Sequence, residues 1–210
     1  MIKKNIKLLI VTSIVILLPI IAGIILWDKL PAEIPNHWNF EGEVDGWSSK
    51  PFAVIVMPLI LLAIHLVSSF AMLSDPKNQE HTSKILQLGF WITPTLSILL
   101  SAVVYSTAMG GNIRVSIIIP VFLGIVFVVI GNYMPKCRQS YTIGIKLPWT
   151  LNSEENWNKT HRMASWIWVI GGLVTVIFGF LDIVWIVIPT LAVLALVPIV
   201  YSYVLYRKGI

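Results

Sequence analysis

The sequence predicts an all-α fold, a polytopic membrane protein built as a six-transmembrane-helix bundle. Of the 210 residues, 57% are hydrophobic and only 12% are charged, about half the charged fraction of a typical soluble domain. The apolar residues form six long segments, at residues 6–27, 51–73, 85–108, 115–133, 163–181 and 183–205. Each can cross a hydrocarbon core about 30 Å thick as a helix, and helices satisfy the backbone of an open chain there.

The distribution of Lys and Arg predicts how the bundle is oriented. If the N-terminus is cytoplasmic, twelve of the 15 basic residues fall on the cytoplasmic side and three fall outside, Lys29, Lys50 and Arg114. Short cytoplasmic loops collect Lys and Arg, so the pattern predicts an N-in/C-in topology. The net charge of +5 follows from these loops and does not indicate direct binding to nucleic acid.

The segments are joined by connections of very different length. The first apolar segment has a basic start but is longer than the apolar core of a signal peptide. No small-residue cleavage site follows before Trp27, so we interpret the segment as a retained helix. Gly110–Asn112 and Asp182 predict tight turns after the third and fifth segments. In the fifth, Gly171, Thr175 and Gly179 recur every four residues, which predicts close packing against a neighbouring helix.

Residues 28–50 form the one substantial loop predicted on the outside, and we expect a small extracellular hairpin-like cap. Residues 37–40 alternate polar and aromatic side chains as a strand does, and Glu41-Gly42-Glu43 and Asp45-Gly46 are turn signals. The aromatic rings fit either an anchor at the lipid headgroups or an acidic, aromatic patch for a cationic or amphipathic partner. His37 and Glu41 are too few for a zinc site, so no metal or cofactor is expected.

Residues 134–162 form the main cytoplasmic loop. Alternation over residues 141–147 predicts an extended stretch, and Asn152 followed by Glu155 predicts a helix start. Glu155 and Lys159 are spaced for an i,i+4 ion pair on that helix. The loop fits either an ordered cap next to the membrane or a docking surface for a cytosolic protein. Cys137 is the single cysteine, which rules out an intramolecular disulfide, and its basic neighbours Lys136 and Arg138 would lower its thiol pKa.

The stretch 131–162, GNYMPKCRQSYTIGIKLPWTLNSEENWNKTHR, closely resembles the signature of the SdpI family of bacterial immunity proteins. The stretch 30–50, LPAEIPNHWNFEGEVDGWSSK, resembles a domain that often precedes that signature. We therefore divide the chain into an N-terminal membrane region, residues 1–84 with extracellular loop 28–50, and an SdpI-like membrane region, residues 85–210 with cytoplasmic loop 134–162.

The resemblance implies a multi-pass protein of the bacterial cell membrane that protects against a secreted, membrane-active peptide toxin of the SdpC type. It also implies a receptor that sequesters a cytosolic transcriptional autorepressor at the membrane. Carried onto this chain, the toxin-binding candidates are His37, Trp38, Phe40, Glu41, Glu43, Asp45 and Trp47. The candidates for a cytosolic partner are Arg138, Lys146, Trp149, Asn156, Trp157, Lys159, His161 and Arg162.

Two other function classes are alternatives to this one. An enzyme would need a nucleophile, base or metal held in the membrane, and no serine lies in a recognisable catalytic motif, so we expect no enzymatic activity. A small transporter or flippase that exports an antimicrobial peptide or lipid is the alternative. His65, well inside the second segment, is the clearest intramembrane ionisable residue, and a helix–helix hydrogen bond is its more common role.

Overall fold

The computed structural model describes residues 2–80 and 83–210, and the side chains of residues 5–78 and 84–210. Six helices in this part of the chain are long and apolar enough to cross a membrane, which confirms the fold class; the orientation stays a prediction. In chain order the helices are α1 (Ile2–Ile25), α2 (Met57–Ser74), α3 (Ser83–Ala108), α4 (Val115–Tyr133), the short α5 (Pro148–Asn152), α6 (Glu154–Phe180) and α7 (Val187–Arg207). The side chains of Lys3 and Lys4 and all of His81 and Thr82 lie outside the described residues.

The helices group into two compact units. Unit 1 contains the chain up to Ser74 together with Leu86–Val115, and unit 2 contains Asp75–Ile85 together with Ser116–Ile210. Unit 1 therefore holds α1, α2, the outer loop and most of α3, whereas unit 2 holds α4 to α7. The functional division that the sequence places at residue 84 stays a prediction.

Side-chain hydrogen bonds tie α1 to its neighbours in unit 1. Thr12 Oγ1 on α1 lies 2.9 Å from Nε2 of His65 on α2, and Tyr105 on α3 donates from its hydroxyl to the carbonyl oxygen of Pro19 at 3.1 Å. Such bonds join helices at fixed points, because an apolar surrounding offers few alternative partners. His65 thus has the helix–helix role that is common for a lone buried histidine.

The outer loop folds into a two-stranded antiparallel hairpin, β1 (Glu33–Trp38) and β2 (Val44–Ser49). Its register places Glu33 opposite Ser49 and Trp38 opposite Val44, with irregular pairing around His37. The base of the hairpin is buried in an apolar cluster of Leu30, Ile34, Val54 and Tyr105. The predicted hairpin-like loop is confirmed, and this cluster fixes it to the helix ends of unit 1.

Two glycines allow α4 and α6 to meet backbone to backbone in unit 2. A Cβ atom added to either Gly124 or Gly172 would lie 2.6 Å from the other residue's carbonyl oxygen. Gly179 also faces α4, at 3.1 Å from side-chain atoms, whereas Gly171 faces Leu194 of α7. The predicted stripe of small residues therefore contacts two helices rather than one, α4 at Gly179 and α7 at Gly171. The closest approach to α4 is at Gly172, which the predicted stripe does not include.

We expect Gly172→Ala to lower the free energy of unfolding by about 1–3 kcal/mol, the usual cost of overpacking. Alanine favours a helix by about 1 kcal/mol over glycine, so helix propensity alone would stabilise the variant. A measured loss of stability would therefore show that the close backbone contact outweighs this gain. Gly179→Ala is the matched control, because a Cβ there would lie 3.1 Å from its nearest neighbours, against 2.6 Å at Gly172. Thermal unfolding of the purified full-length variants would measure both, and equal stability of the two would contradict the proposed contact.

The signature loop, residues 134–162, differs from the sequence expectation in two places. Residues 141–144 form bends and residues 145–147 have no regular structure, because side chains bind the N–H groups of Tyr141, Thr142 and Ile145. The helix cap also shifts by one residue. Ser153 caps α6 by accepting a hydrogen bond from the N–H of Asn156 at 3.1 Å, whereas Asn152 ends the short α5.

Candidate functional site

The tip of the hairpin is organised by Asn39. Its Oδ1 accepts hydrogen bonds from the backbone N–H groups of Glu41 at 3.0 Å and Glu43 at 2.9 Å. Between them, Gly42 adopts a φ of 80°, a backbone conformation that favours glycine. These contacts hold two exposed carboxylate side chains at a defined tip.

Most of the predicted toxin-binding residues are exposed on this hairpin. His37 Nδ1 lies 2.5 Å from Asp45 Oδ1, and both side chains are substantially exposed. Phe40 and Trp47 are 46% and 56% exposed, whereas Trp38 is half-buried. The hairpin thus combines exposed carboxylates with exposed aromatic rings. The structure brings the predicted residues onto one element, although His37 pairs with Asp45 and not with Glu41.

A small cleft, here called the hairpin cleft, lies in unit 1 where the hairpin meets α2 and α3. Its volume is about 80 Å³, and its lining includes the apolar residues Met57, Leu61 and Leu100 and the polar residues Asn36, Ser48 and Ser101. The half-buried ring of Trp38 also lines it. Beside the base of the hairpin, the Lys50 ammonium donates to the Trp27 carbonyl oxygen at 2.9 Å and lies over the Trp27 ring.

The signature loop is organised around Asp75, a buried carboxylate at the end of α2. Its Oδ2 accepts hydrogen bonds from Ser140 Oγ at 2.8 Å, from the Tyr141 N–H at 2.9 Å, and from the N–H and hydroxyl of Thr142 at 3.1 and 3.0 Å. Burial alone would raise the pKa of Asp75, but these bonds and one from the Lys77 N–H outweigh it and lower that pKa. The carboxylate therefore stays charged and shapes residues 140–142.

Asn78 adds a second connection between the same two segments. The fully buried Asn78 donates from Nδ2 to the Thr142 hydroxyl at 2.7 Å, and its Oδ1 lies 2.8 Å from Ser140 Oγ. Lys77 Nζ donates to Gln139 Oε1 at 2.7 Å. The side chains of residues 75–78 therefore hold the start of the signature loop in place, although these residues lie outside the loop itself.

Trp157 and His161 form the buried centre of the signature loop. Their rings stack with centroids 4.1 Å apart, and Trp157 Nε1 donates to the Cys137 carbonyl oxygen at 2.8 Å. His161 Nδ1 donates to the Trp157 carbonyl, so its Nε2 accepts from the Ile145 N–H at 2.9 Å as the neutral tautomer. Gly144 lies against both rings with a φ of 112°.

Trp149 and Asn156 fasten the loop to α7. Trp149 donates from Nε1 to the Ser202 hydroxyl, and its ring stacks on Tyr206. The buried Asn156 donates from Nδ2 to the carbonyl oxygens of Ser202 and Ile210. Both residues are predicted partner candidates. Asn156 is buried, whereas Trp149 is half-buried and keeps part of its ring accessible.

The four remaining partner candidates are exposed cations: Arg138, Lys146, Lys159 and Arg162. Lys159 Nζ lies 2.7 Å from Glu155 Oε1, the predicted i,i+4 ion pair, and Lys146 Nζ lies 3.3 Å from the Thr142 carbonyl oxygen. The eight candidates therefore divide by position. Four aromatic, amide and imidazole side chains build the inside of the loop, and four cations cover its outside.

Comparison with known proteins gives the same two stretches a family context. Residues 136–202 match the model of the SdpI/YfhL protein family, and residues 14–62 match a domain of unknown function, DUF1648. Immunity protein SdpI of Bacillus subtilis (strain 168) is 30% identical over 212 aligned positions, which cover 98% of this chain and 97% of the relative. The chain belongs to the SdpI/YfhL protein family. No solved structure matches.

Membership of the SdpI/YfhL family agrees with the six apolar helices and places the chain in the cell membrane as a multi-pass protein. The matched stretch 136–202 contains the exposed cations and the Trp157–His161 centre. The matched stretch 14–62 contains the whole hairpin. The described residues hold no group of three or more His, Cys, Asp or Glu side chains that could bind a metal ion.

Sequence reasoning missed Asp75, Asn78 and Ser140. Asp75-Pro76 after an apolar helix is a turn signal, and the Lys77 N–H does bind Asp75 Oδ1 at 2.9 Å as in an Asx turn. Nothing in that local pattern shows that the second carboxylate oxygen binds a segment 65 residues further along the chain. Ser140 had no spacing motif that could identify it.

The prediction of a lowered pKa for the Cys137 thiol is wrong. The side chain is buried, and desolvation raises its pKa to about 12, because burial disfavours the thiolate more than the neighbouring cations favour it. We expect less than about a tenth of the protein to react with a maleimide in an hour at pH 7.5 in the folded state. Labelling in sodium dodecyl sulfate is the control, and rapid labelling of the folded protein would contradict the burial.

Proposed function

We propose that this protein is an immunity protein that protects its cell against a secreted, membrane-active peptide toxin of the SdpC type. The observation that carries the proposal is the similarity over 98% of the chain to a relative named an immunity protein. One feature agrees with it, because the hairpin offers an exposed contact surface. We therefore assign a binding role.

We propose the N-in/C-in orientation, with the hairpin outside the cell and the signature loop in the cytoplasm. The twelve-to-three distribution of Lys and Arg supports it. The exposed cations at residues 138, 146, 159 and 162 would then all lie on the cytoplasmic side. The carboxylates of the hairpin would lie on the side from which a secreted toxin arrives.

The toxin surface that we propose is the exposed side of the hairpin. The outer loop carries five carboxylates, Asp28, Glu33, Glu41, Glu43 and Asp45, against the two cations Lys29 and Lys50. Lys50 is already engaged with Trp27. Phe40 and Trp47 add exposed apolar area beside the carboxylates. A peptide that is both cationic and apolar would gain from both features.

We propose that a cytosolic repressor is captured through the exposed cations Arg138, Lys146, Lys159 and Arg162. Trp149, Asn156, Trp157 and His161 would act through the loop's shape, since their polar groups already bind within the protein. Replacing the four cations should then abolish repressor recruitment and leave immunity intact.

Survival of a toxin-sensitive bacterium tests the function directly. We expect cells that express the full chain to survive a purified SdpC-type peptide at doses that kill cells carrying the empty vector. The toxin should be recovered with an unchanged mass, because binding alters no bond. Killing at equal doses, with membrane insertion confirmed, would overturn the immunity role, and a changed mass would overturn the non-catalytic one.

The alternative, a small transporter or flippase, rests on His65. This residue is fully buried in α2 and contacts Thr12 across the helix interface, a position that an ion-coupled transporter would use. A transporter that protonates His65 would lose its protective effect in a His65→Gln variant, because glutamine keeps a hydrogen-bond donor but does not titrate. We expect the variant to protect as well as the wild type.

A further inference from the structure

The hairpin cleft has an apolar floor and a polar rim. Met57 and Leu61 of α2 and Leu100 of α3 supply the floor, and Asn36 and Ser48 of the hairpin supply the rim. Small-molecule and side-chain pockets commonly combine a mostly apolar lining with a few polar groups. All of the lining residues belong to unit 1, so the cleft is a property of that unit alone.

Ser48 places a polar group without a hydrogen-bond partner on the rim. Its Oγ is buried and has no hydrogen-bond partner among the described residues. An unpaired buried hydroxyl is costly, and the cost is removed when a ligand supplies a partner. The backbone of a peptide lying along the rim can supply one, since every residue except proline carries both a donor and an acceptor.

Size limits what the floor can accept. A cavity of about 150 Å³ holds a benzene molecule, and the hairpin cleft has about half that volume, about 80 Å³. It therefore has room for one side chain, and the floor of Met57, Leu61 and Leu100 favours an aliphatic one. The carboxylates of the hairpin add a preference for a positive charge near the apolar group, since Lys50 is directed to Trp27 and does not neutralise them.

We propose that the hairpin cleft is the anchoring site for one aliphatic side chain of a cationic peptide. This rests on the proposed function, in which that peptide is the toxin. The aliphatic side chain lies on Met57, Leu61 and Leu100, the peptide backbone passes Ser48, and a neighbouring cation of the peptide faces the carboxylates at the hairpin tip. The exposed aromatic rings of Phe40 and Trp47 flank the peptide outside the cleft.

The test is binding of a dye-labelled SdpC-type peptide to the full-length protein in lipid nanodiscs, measured by fluorescence anisotropy. Ser101→Leu adds an aliphatic side chain to the cleft itself and should raise the Kd about tenfold or more, since it occupies the volume that the peptide side chain would fill. Ala102→Leu is the matched control. It makes a similar change at the next position of α3, where the side chain is exposed, and should leave the Kd unchanged.

Ser48→Ala keeps the test decisive if Ser101→Leu lowers thermal stability. This change removes one hydroxyl that has no partner in the free protein, so the fold should be kept, and we expect the Kd to rise about threefold or more through the lost peptide contact. Wild-type affinity in folded Ser101→Leu or in Ser48→Ala would overturn the anchoring site. Displacement of a copurified lipid by Ser101→Leu, with peptide affinity unchanged, would assign the cleft to lipid instead.

The two proposals fail in distinguishable ways. If the wild-type protein protects cells and binds the peptide while both cleft variants bind equally well, only the anchoring site is wrong. If the wild-type protein neither protects nor binds, the immunity role is wrong and the anchoring site falls with it. Protection without detectable peptide binding would also overturn the anchoring site.

Discussion

Replacing Asp75 by alanine is expected to release the start of the signature loop and to lower the free energy of unfolding by about 3–5 kcal/mol. The change removes a buried, charged acceptor that binds Ser140, Tyr141 and Thr142, and hydrogen bonds to charged groups contribute about 1.5–3 kcal/mol each. Thermal unfolding and limited proteolysis of the loop would measure the effect. Glu154→Ala, which removes an exposed carboxylate in the same unit, should change stability by less than about 1 kcal/mol.

The same carboxylate gives a pH dependence with a defined sign. Its pKa is lowered below the ordinary value of 3.8 in the folded protein, so its stabilising contribution is complete above that value. The contribution is lost as the pH falls through the lower, folded-state pKa. We expect the wild type to lose stability below about pH 4 more steeply than Asp75→Asn, which carries no titrating group there. Parallel pH profiles would show that Asp75 is not the group involved.

Gly144→Ala should be the second strongly destabilising change, by about 2–5 kcal/mol. A Cβ atom at this position would lie 2.6 Å from His161 Nε2 and 2.6 Å from the Trp157 ring, and the φ of 112° is itself unfavourable for alanine. Backbone strain costs about 1–3 kcal/mol, and a steric clash in a packed centre adds about as much. The clash also displaces the hydrogen bond between the Ile145 N–H and His161.

Gly209→Ala separates the two causes. Gly209 lies in the same unit with a φ of 81°, and nothing lies within 4 Å of a Cβ added there, so alanine meets backbone strain without a clash. Thermal unfolding of both variants would measure the difference, which we expect to be at least about 1 kcal/mol. If both variants lost the same stability, backbone strain alone would explain the effect of Gly144→Ala, and a clash with Trp157 and His161 would contribute nothing.

The sequence predicted the features that depend on local pattern. Six long apolar segments suffice for the six helices, because length and composition decide whether a helix can cross a bilayer. The hairpin also followed from local signals, the alternation before Phe40 and the turn signal at Glu41-Gly42-Glu43. The second turn signal, Asp45-Gly46, was wrong, because both residues lie within β2. The Glu155–Lys159 pair followed from its spacing of four residues.

The features that the sequence did not predict depend on distant contacts. Residues 141–147 alternate as a strand would, but the N–H groups of Tyr141 and Thr142 bind Asp75 and that of Ile145 binds His161. Trp149 and Asn156 looked like surface groups because their partners lie on α7, about 50 residues further along the chain. A single sequence contains no signal for such pairs. The family resemblance located the loop without separating its buried residues from its exposed cations.

The central claim, that the hairpin gives immunity, is tested most directly by survival with the tip charges removed. A toxin-sensitive bacterium would express the wild type, the triple variant Glu41→Gln, Glu43→Gln, Asp45→Asn, or the control Glu154→Gln, Glu155→Gln, and would be challenged with an SdpC-type peptide. We predict that the triple variant loses protection at wild-type membrane levels, while the control protects fully. Full protection by the triple variant would contradict the claim that the hairpin contacts the toxin.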